Sequence, residues 1–325
     1  MNNDQQMYAG VDIGGTTMKY GVVSEDGTIV YHKVVHTDAQ RGKEAMIADI
    51  QSIIIEILTL YPTVVSIGIG FPAVVNPRDG CVYYPANLPG WDIVPLTNIL
   101  QQCSSVPIAI DNDANVAALA ESELGSGKDS SHFLYVTLGT GVGGGIIINN
   151  RIFSGEQGGA GEIGHSVIDI HDEPTADMIA NNRLFRAGTL EERLGRVGII
   201  ETAKSLLIHY PHSFLHQFGD SLDVEHISLG IEHNDEAAIR CFEQSGHWLG
   251  LGLASILAIL DMRMIIVGGG ISQAHPLLLD TVRKTLQMRS LPTIARYVEV
   301  RTAFFSNNAG VVGAAMLAKQ KYLCV

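Results

Sequence analysis

One pattern occurs twice in this chain of 325 residues and constrains its fold more than any other feature. Each copy consists of a short apolar run, a loop of glycine and threonine, and a second apolar run. The first copy spans 7–23 around the loop Gly14–Thr17, and the second spans 134–148 around the loop Gly139–Gly145. The copies lie about 125 residues apart, far more than the roughly 20–50 residues of a stacked repeat. The pattern therefore predicts two related halves.

Short strand-like runs alternate with longer helical runs along the rest of the chain. Gly and Asp-Gly turns separate the first three runs and predict an antiparallel meander over 7–13, 18–23 and 29–35. Further strands are predicted at 64–69, 106–110, 134–138, 146–148 and 264–267. Helices are predicted at 43–60, 114–124, 236–260, from about 275, and 309–319. Strands that alternate with helices in this way predict an α/β fold.

Composition excludes several classes of protein. The formal net charge of −13 repels phosphate backbones, so we expect no nucleic-acid partner. The most apolar run, 249–260, is shorter than the roughly 20 residues that span a bilayer, so we expect no membrane partner. The N-terminus lacks the basic start and apolar run of a signal peptide. Four scattered cysteines without C-x-x-C spacing indicate free thiols and a cytoplasmic location.

The first glycine loop carries the features of a phosphate site. Gly14 and Gly15 let backbone N–H groups approach an anion, and Thr16 and Thr17 add hydroxyl donors. A tight hairpin that needs positive φ is the alternative. The carboxylate of Asp12 favours the phosphate site, because it is useful there mainly when a divalent cation bridges it to the phosphate. The next charged residue, Lys19, either steadies phosphate or faces solvent.

The second loop formally satisfies the dinucleotide fingerprint G-x-G-x-x-G. That fingerprint must open a helix, whereas this loop opens onto the strand-like run 145–148, so a nicotinamide cofactor is disfavoured. We predict instead a second phosphate loop that includes Thr140 and Gly141. Gly269 follows a strand and precedes a helix, which suits a close approach to a nucleoside. Simple packing of strand against helix is the alternative there.

Two polar clusters are candidates for chemistry. In Asp111-Asn112-Asp113, a strand meets a helix whose dipole keeps Asp113 ionised. A carboxylate held there can accept the proton of an alcohol that attacks a phosphate, although an N-cap is the alternative role. Glu162 and His165, three residues apart on a helical turn, face the same way. With no H-E-x-x-H or cysteine partner nearby, they suit sugar hydroxyls better than a metal ion, so no metal site is predicted.

Six segments, in order along the chain, resemble the ROK family of sugar kinases and sugar-responsive repressors. They are Asp12–Thr16, Asn87–Trp91, Asp111–Asn115, Leu138–Gly145, Gly161–His165 and Ile266–Ser272. The resemblance extends from residue 8 to about 317. It implies an actin-like, ribonuclease-H-like fold of two related α/β domains with a cleft between them. The implied N-terminal domain is 1–118, completed by a C-terminal helix at about 309–325, and the second domain is 119–308.

The resemblance also implies roles for individual residues. The loops at Gly14 and Thr140 hold the phosphates of ATP with Mg²⁺, and the turn at Gly268 lies near the adenosine. Asp113 is the base that deprotonates the attacking hydroxyl, which is the 6-hydroxyl in hexokinase-type members. The residues implied to contact the sugar are Asn112, Glu162 and His165, with Asn87 beside the pocket. Family analogy further implies a homodimer.

The chain departs from the family at its zinc motif, C-x-C-G-x-x-G-C-x-E. Asn182, Leu184 and Thr189 stand in the cysteine positions, so the soft ligands for a structural zinc are missing. Glu191 remains in register, and the resemblance implies that it binds a sugar hydroxyl. His165, which contacts zinc in relatives that have it, is then free to bond the sugar. A surface glutamate in a polar helix is the alternative for Glu191.

These observations favour an ATP-dependent hexose kinase with glucose as the first choice of substrate. The loop 70–77 has no basic residue where N-acetylmannosamine kinases of the family carry an arginine. Fructose, mannose, N-acetylglucosamine and N-acetylmannosamine remain alternatives. A sugar-responsive repressor is disfavoured because only seven residues precede Tyr8, too few for a DNA-binding module. A catalytically silent sensor is disfavoured because Asp12, Asp113 and both loops are intact.

Overall fold

A computed structural model describes residues 6–85, 88, 90–181 and 183–323. The chain divides into two compact units. The first unit consists of Met1–Ser131, Gly145–Gly161 and Phe304–Val325, and the second consists of His132–Gly144 and Glu162–Ala303. The chain therefore passes from one unit to the other more than once.

Both units contain strands and helices at the predicted places, with small shifts at their ends. The strands are β1 (Met7–Ile13), β2 (Thr17–Ser24), β3 (Ile29–His36), β4 (Val64–Phe71), β5 (Val74–Val75), β6 (Val82–Tyr83), β7 (Ile93–Val94), β8 (Ile108–Asn112), β9 (His132–Leu138), β10 (Val142–Ile148), β11 (Arg151–Ile152), β12 (Met264–Gly268) and β13 (Glu299–Thr302). The helices are α1 (Lys43–Leu60), α2 (Leu96–Gln101), α3 (Asp113–Glu123), α4 (Ala176–Ala180), α5 (Leu190–Leu194), α6 (Arg196–Leu207), α7 (Val224–Glu232), α8 (Glu236–Leu260), α9 (Pro276–Arg289), α10 (Pro292–Ala295) and α11 (Ala309–Leu323).

Two five-stranded sheets share one topology. The first has the order β3-β2-β1-β4-β8, and the second has the order β11-β10-β9-β12-β13. In the first sheet, β1, β2 and β3 form an antiparallel meander, while β1, β4 and β8 are parallel. In the second, β10 and β11 are antiparallel, while β9, β12 and β13 are parallel. This common order confirms the prediction of two related halves.

Helix α11 packs closely against the first sheet because glycines remove side chains at the contact. A β-carbon at Gly10 would overlap the carbonyl oxygen of Val311, and one at Gly68 would overlap that of Ala314. Gly313 in turn lies against the backbone of Val116 in α3. Val311 and Ala314 are fully buried here. Several glycines of this chain therefore serve backbone packing rather than ligand binding.

The boundaries of the first unit differ from the sequence-based division at residue 118. Helix α3 runs unbroken past that point, and its Glu121 is fully buried. The Glu121 carboxylate accepts hydrogen bonds from the N–H groups of Ser126, Phe304 and Phe305, at 2.7, 3.0 and 2.8 Å. These bonds tie the residues after α3, and the segment that leads into α11, to the first unit.

Three of the four cysteines expected to be free thiols can be located in the structure. Cys81, Cys103 and Cys241 are free, and Cys324 lies outside the described residues. Burial raises the pKa of the Cys241 thiol to about 12, so that thiol is unreactive. In the part of the chain described, none of the helices has both the length and the apolar character that crossing a bilayer requires.

Candidate active site

The carboxyl ends of the parallel strands β1, β4 and β8 bring two carboxylates to one edge of the first sheet. The strand register pairs Asp12 with Gly70, and Gly70 with Asp111. Asp113 follows directly as the first residue of α3. A β-carbon placed on Gly70 would lie 3.5 Å from the Asp113 Cα and 3.8 Å from Asp12 Oδ1. The fold thus sets Asp12 and Asp113 beside the same glycine.

Asp12 is a half-buried carboxylate in a tight setting. Its burial raises its pKa, and Lys19, its partner across β2, acts in the opposite direction. A β-carbon on Gly310, in the first turn of α11, would overlap the Asp12 carboxylate. The Lys19 ammonium donates a hydrogen bond to the carbonyl of Asn307 at 3.1 Å. Because Lys19 only partly offsets the cost of burying the charge of Asp12, this carboxylate is suited to a bound cation.

The loop Gly14–Thr17 is fixed by a hydrogen bond within its own backbone and by two hydrogen bonds from Thr37. The N–H of Gly14 donates to the carbonyl of Thr17 at 2.9 Å. From beyond the end of β3, Thr37 donates its N–H to the carbonyl of Thr16 and its hydroxyl to that of Gly14, both at 2.8 Å. The loop closes the β1–β2 hairpin, but neither glycine has the positive φ that the alternative role required. Gly15 and Thr16 are exposed, as an anion site requires.

The junction of β8 and α3 is built by Asp111 and Asn112. Asn112 is the N-cap: its Oδ1 accepts from the N–H of Ala114 at 2.9 Å and of Asn115 at 3.2 Å. Its Nδ2 donates to the carbonyl of Ala73 at 3.2 Å. The alternative N-cap role for Asp113 is therefore wrong. Asp113 lies one residue further on, and its Oδ1 accepts from the N–H of Ala114 at 2.8 Å, in the helical turn where the dipole stabilises an anion.

Asp111 supports this junction from inside. Its Oδ1 accepts hydrogen bonds from Asn115 Nδ2 at 2.8 Å and from the N–H of Asn112 at 2.7 Å. The side chain is almost completely buried, and this burial raises the pKa of Asp111 to about 6. The two hydrogen bonds oppose that rise because they favour the charged form. Asp111 is thus a structural carboxyl that fixes the residues before Asp113.

In the second unit, the loop after β9 lines a cavity of about 540 Å³. The loop runs directly into strand β10, which confirms that it is not a dinucleotide fingerprint. Thr140 is exposed, and the carbonyl of Gly139 accepts from the N–H of Arg196 at 3.0 Å. The cavity has the size of small-ligand sites. Its walls are formed by Gly139, Thr140, Arg196, Asp223, Val224, Glu225, Ser228, Gly270, Ile271, Gln273 and Ala274.

The glycine turn after β12 divides its tasks between two residues. Gly269 has a φ of 84°, and a β-carbon there would overlap the backbone of Leu138, so Gly269 serves the packing considered as its alternative. Gly270 lines the cavity, and a β-carbon on it would have no heavy atom within 4 Å. The close approach predicted for Gly269 is therefore available one residue later.

The second unit also brings together Glu162, His165 and Glu191. Glu162 precedes a short 3-10 turn and His165 is its last residue, with their Oε2 and Nε2 atoms 3.9 Å apart. Partial burial raises the pKa of Glu162; His165 acts against this rise, and Glu191 adds to it. Glu191 lies in the first turn of α5 and accepts from the N–H of Val142 at 3.1 Å. Glu191 is therefore no isolated surface residue.

Sequence reasoning missed the charged partners of these residues. The guanidinium of Arg186 lies 2.9 Å from Glu191, and that of Arg196 forms a two-point ion pair with Asp223 in the cavity wall. No motif marks either pair, since the partners come from separate elements. Among the described residues, no group of three or more His, Cys, Asp or Glu side chains could hold a metal ion. Asn87 and Asn182, which the sequence analysis singled out, lie outside the described residues.

Comparisons with known proteins agree with this architecture. The sequence profile of the ROK family matches residues 8–321. A glucokinase from Halalkalibacterium halodurans is 32% identical over 97% of this chain and 95% of its own length. The crystal structure of a ROK family glucokinase from Streptomyces griseus, in complex with glucose and AMPPNP, is 31% identical with a TM-score of 0.79, covering 97% of this chain and 99% of the other. A ROK hexokinase from Thermus thermophilus is 25% identical with a TM-score of 0.78, covering 98% and 100%.

The two related α/β units thus form the actin-like ATPase fold, and the chain stands among the ATP-dependent sugar kinases that have it. The chain belongs to the ROK family. Regulators also occur among the relatives: a xylose repressor from Bacillus subtilis is 24% identical, and the match covers 77% of its length.

Proposed function

We propose that this chain transfers the γ-phosphoryl group of ATP to the 6-hydroxyl of a hexose, with glucose as the preferred acceptor. The observation that carries the proposal is the position of Asp12 and Asp113 beside Gly70 at one edge of the first sheet. Phosphoryl transfer needs one carboxylate to accept the proton of the nucleophile and another to hold a cation on the phosphates. Asp12 near the end of β1 and Asp113 at the start of α3, on either side of Gly70, meet both needs.

In the proposed reaction, Asp113 is the catalytic base. As the sugar 6-oxygen attacks the γ-phosphorus, its proton passes to the Asp113 carboxylate. A bond forms between the 6-oxygen and the γ-phosphorus, the bond from that phosphorus to the β–γ bridging oxygen breaks, and ADP leaves. We assign the binding of the other sugar hydroxyls to Asn112, Glu162, His165 and Glu191. Because Asn112 caps α3 through its Oδ1, its Nδ2 is the atom that can donate to the sugar.

Nucleotide binding is assigned to the two glycine loops. The residues proposed to contact the phosphates are Gly14, Gly15, Thr16, Thr17, Lys19, Thr140 and Gly141. The cavity beside Gly270 is proposed to hold the nucleoside, with Gly269 shaping the turn. Asp12 suits Mg²⁺, a hard cation that proteins bind through one or two carboxylates together with substrate phosphates. When bound, Mg²⁺ neutralises phosphate charge and aligns the γ-phosphoryl group.

The preference for glucose is supported by the relatives. Proteins about 30% identical to this chain over nearly its whole length are glucokinases from Halalkalibacterium halodurans and Thermotoga maritima. The loop 70–77 carries no basic residue of the kind expected in an N-acetylmannosamine kinase of the family. We also propose that the protein is cytoplasmic and forms a homodimer. Size-exclusion chromatography with light scattering tests the homodimer.

A regulator is the second candidate, because xylose repressors match the chain at 24–25% identity. A protein that only senses sugar has no use for a base and a cation-binding carboxylate at one sheet edge. The paired positions of Asp12 and Asp113 therefore favour the kinase.

The proposal is tested by measuring ADP release with Mg²⁺-ATP and a panel of sugars. The panel contains glucose, mannose, fructose, N-acetylglucosamine and N-acetylmannosamine, with 6-deoxyglucose as the matched control that lacks the reacting hydroxyl. We expect glucose to give the highest kcat/KM, and 6-deoxyglucose to inhibit competitively without being phosphorylated. Binding of sugar without ADP release from any member of the panel would favour the regulator. If another sugar gives a higher kcat/KM than glucose, that sugar is the preferred acceptor instead.

A further inference from the structure

The carboxylate of Glu191 is held from two sides. Its Oε2 accepts a hydrogen bond from the N–H of Val142, at the end of the second glycine loop, and its Oε1 lies 2.9 Å from Arg186 Nη2. A β-carbon on Gly141 would overlap the same carboxylate, so only a glycine fits where the loop contacts Glu191. A carboxylate has roughly four acceptor positions, so these two partners leave capacity for a sugar hydroxyl.

The electrostatics around Glu191 explain why a cation is needed beside it. Glu162 is close enough that the charge of Glu191 contributes to the raised pKa of Glu162. Two neighbouring carboxylates repel each other, and a nearby positive group offsets that repulsion. His165 lies 3.9 Å from Glu162, and Arg186 lies beside Glu191. Arg186 is only 24% exposed, so solvent screens its interaction less than that of a surface ion pair.

The short 3-10 turn Leu184–Arg186 presents two neighbouring side chains to proposed sugar ligands. The ring of Phe185 meets the ring of His165 edge to face, with centroids 5.7 Å apart. Arg186 contacts Glu191 with its Nη2, and its Nε donates to Glu192 Oε2 at 3.4 Å. The hydroxyl of Thr189, which is fully buried, donates to the carbonyl of Arg186 at 2.9 Å and anchors the turn.

A second set of ion pairs holds the segment before this turn. The guanidinium of Arg193 lies 2.9 Å from Asp172 and 3.3 Å from Asp169, and it also stacks over the ring of Trp248. Asp172 accepts from the N–H of Gly188 at 3.0 Å. The segment around Glu191 is thus fixed by direct contacts between side chains and backbone.

From these contacts we infer that Arg186 is a positioning residue, which holds the Glu191 carboxylate in the orientation that binds a sugar hydroxyl. The inference rests on the proposed function, because it assigns Arg186 to the sugar side of that site. Arg186 acts through Glu191 and does not itself touch the reacting atoms. The consequence is specific: loss of Arg186 weakens sugar binding, while the phosphates of ATP keep their own contacts.

The test compares Arg186→Met with Arg186→Lys and with Arg183→Met, an exposed arginine of the same segment. We expect Arg186→Met to raise the KM for glucose about tenfold, as loss of a charged hydrogen bond does, with kcat and the KM for ATP changed less than about twofold. Arg186→Lys keeps the charge but loses the planar fork, so about half of the binding loss should be recovered on a logarithmic scale. Arg183→Met should behave as the wild type.

A double mutant separates positioning from general support of the fold. In the Glu191→Gln background, Arg186→Met should change the glucose KM less than about twofold, because the group through which it acts is already neutral. Equal effects of Arg186→Met with and without Glu191→Gln would overturn the inference. So would an unchanged glucose KM in Arg186→Met together with a raised KM for ATP. If the wild type phosphorylates no sugar at all, the proposed function fails instead.

Discussion

The two sheets present the same edge with different chemistry. In the first, neighbouring parallel strands carry Asp12, Gly70 and Asp111 side by side. In the second, Gly268 again occupies the middle strand, but its partner on β9 is Thr137, and the last residue of β13, Thr302, pairs with Val267. The duplicated architecture has therefore kept the central glycine, while only the first edge carries acidic side chains.

The glycine loops above these edges differ in the same sense. The first loop is held by backbone and hydroxyl contacts with Thr37 and lies next to Asp12 on its own strand. The second loop is contacted by Glu191 and by the backbone of Arg196, both of which come from helices some 50 residues later. In the proposed function, the first unit supplies carboxylates at the end of β1 and the start of α3, whereas the second supplies Glu191 from a helix.

The largest effect is expected for Asp113→Asn, which removes the proposed base and keeps the shape of the side chain. We expect kcat to fall about 10³-fold, since general base catalysis contributes on this scale. Glucose affinity, measured by isothermal calorimetry, should stay within about threefold, because the amide still forms hydrogen bonds. If Asp113→Asn keeps nearly the wild-type kcat, Asp113 is not the catalytic base.

The buried carboxyl of the first edge should impose a pH dependence on stability. Because burial raises the folded-state pKa of Asp111 to about 6, above its ordinary value of 3.8, the folded protein binds a proton that the unfolded chain releases. The contribution of Asp111 to the free energy of unfolding therefore falls as pH rises from 3.8 to about 6, by up to about 3 kcal/mol.

Asp111→Asn should remove this dependence while its amide oxygen keeps both hydrogen bonds. Denaturant titrations of both proteins at pH 4, 5, 6 and 7 measure the difference. We expect the free energy of unfolding of Asp111→Asn, relative to the wild type, to increase over this range and to level off above pH 6. A difference that is constant with pH would mean that Asp111 is not the group responsible.

A matched pair of substitutions compares the two edges directly. Asp12→Asn should lower kcat about 10²-fold and raise the Mg²⁺ concentration needed for half-maximal rate, because a cation loses a charged ligand. Thr137→Val, at the corresponding place in the second sheet, should change both quantities less than about threefold, as expected for one neutral hydroxyl. Similar losses in the two variants would contradict the division of tasks between the edges.

The smallest effect concerns the contact of the second loop with Glu191. Gly141→Ala places a methyl group that overlaps the Glu191 carboxylate, so the carboxylate must move. Because it is the end of a flexible side chain, this movement costs little. We expect the KM for glucose to rise about fivefold, with little change in melting temperature. Gly139→Ala is the control, since a β-carbon there meets no heavy atom within 4 Å. If Gly139→Ala raises the glucose KM as much, Glu191 is not the residue affected.

Much of this molecule could be predicted from local sequence. The repeated strand–loop–strand pattern predicted two related halves, and the shared strand order confirms it. The two ends of Lys43–Leu60 and of Glu236–Leu260 coincide with the predicted helices, because apolar spacing and polar ends mark both.

The unpredicted features depend on contacts between distant residues. Gly10 and Gly68 are required because α11 packs against them, although α11 lies more than 200 residues further along the chain. Sequence alone therefore could not distinguish these glycines from ligand-binding ones. The N-cap fell on Asn112 rather than Asp113, because both side chains are good caps and only the backbone decides between them. Arg186 and Arg196 belong to no motif, and their roles depend on the partners that the fold brings to them.

The central claim, that Asp113 activates the 6-hydroxyl of a hexose toward ATP, has one direct test. The protein is incubated with Mg²⁺-ATP and uniformly ¹³C-labelled glucose, and the product is examined by ¹³C and ³¹P NMR. The wild type should give a single phosphomonoester with phosphorus coupled to carbon 6, and Asp113→Asn should give almost none in the same time. Phosphate on another carbon, or an undiminished yield from Asp113→Asn, would contradict the account.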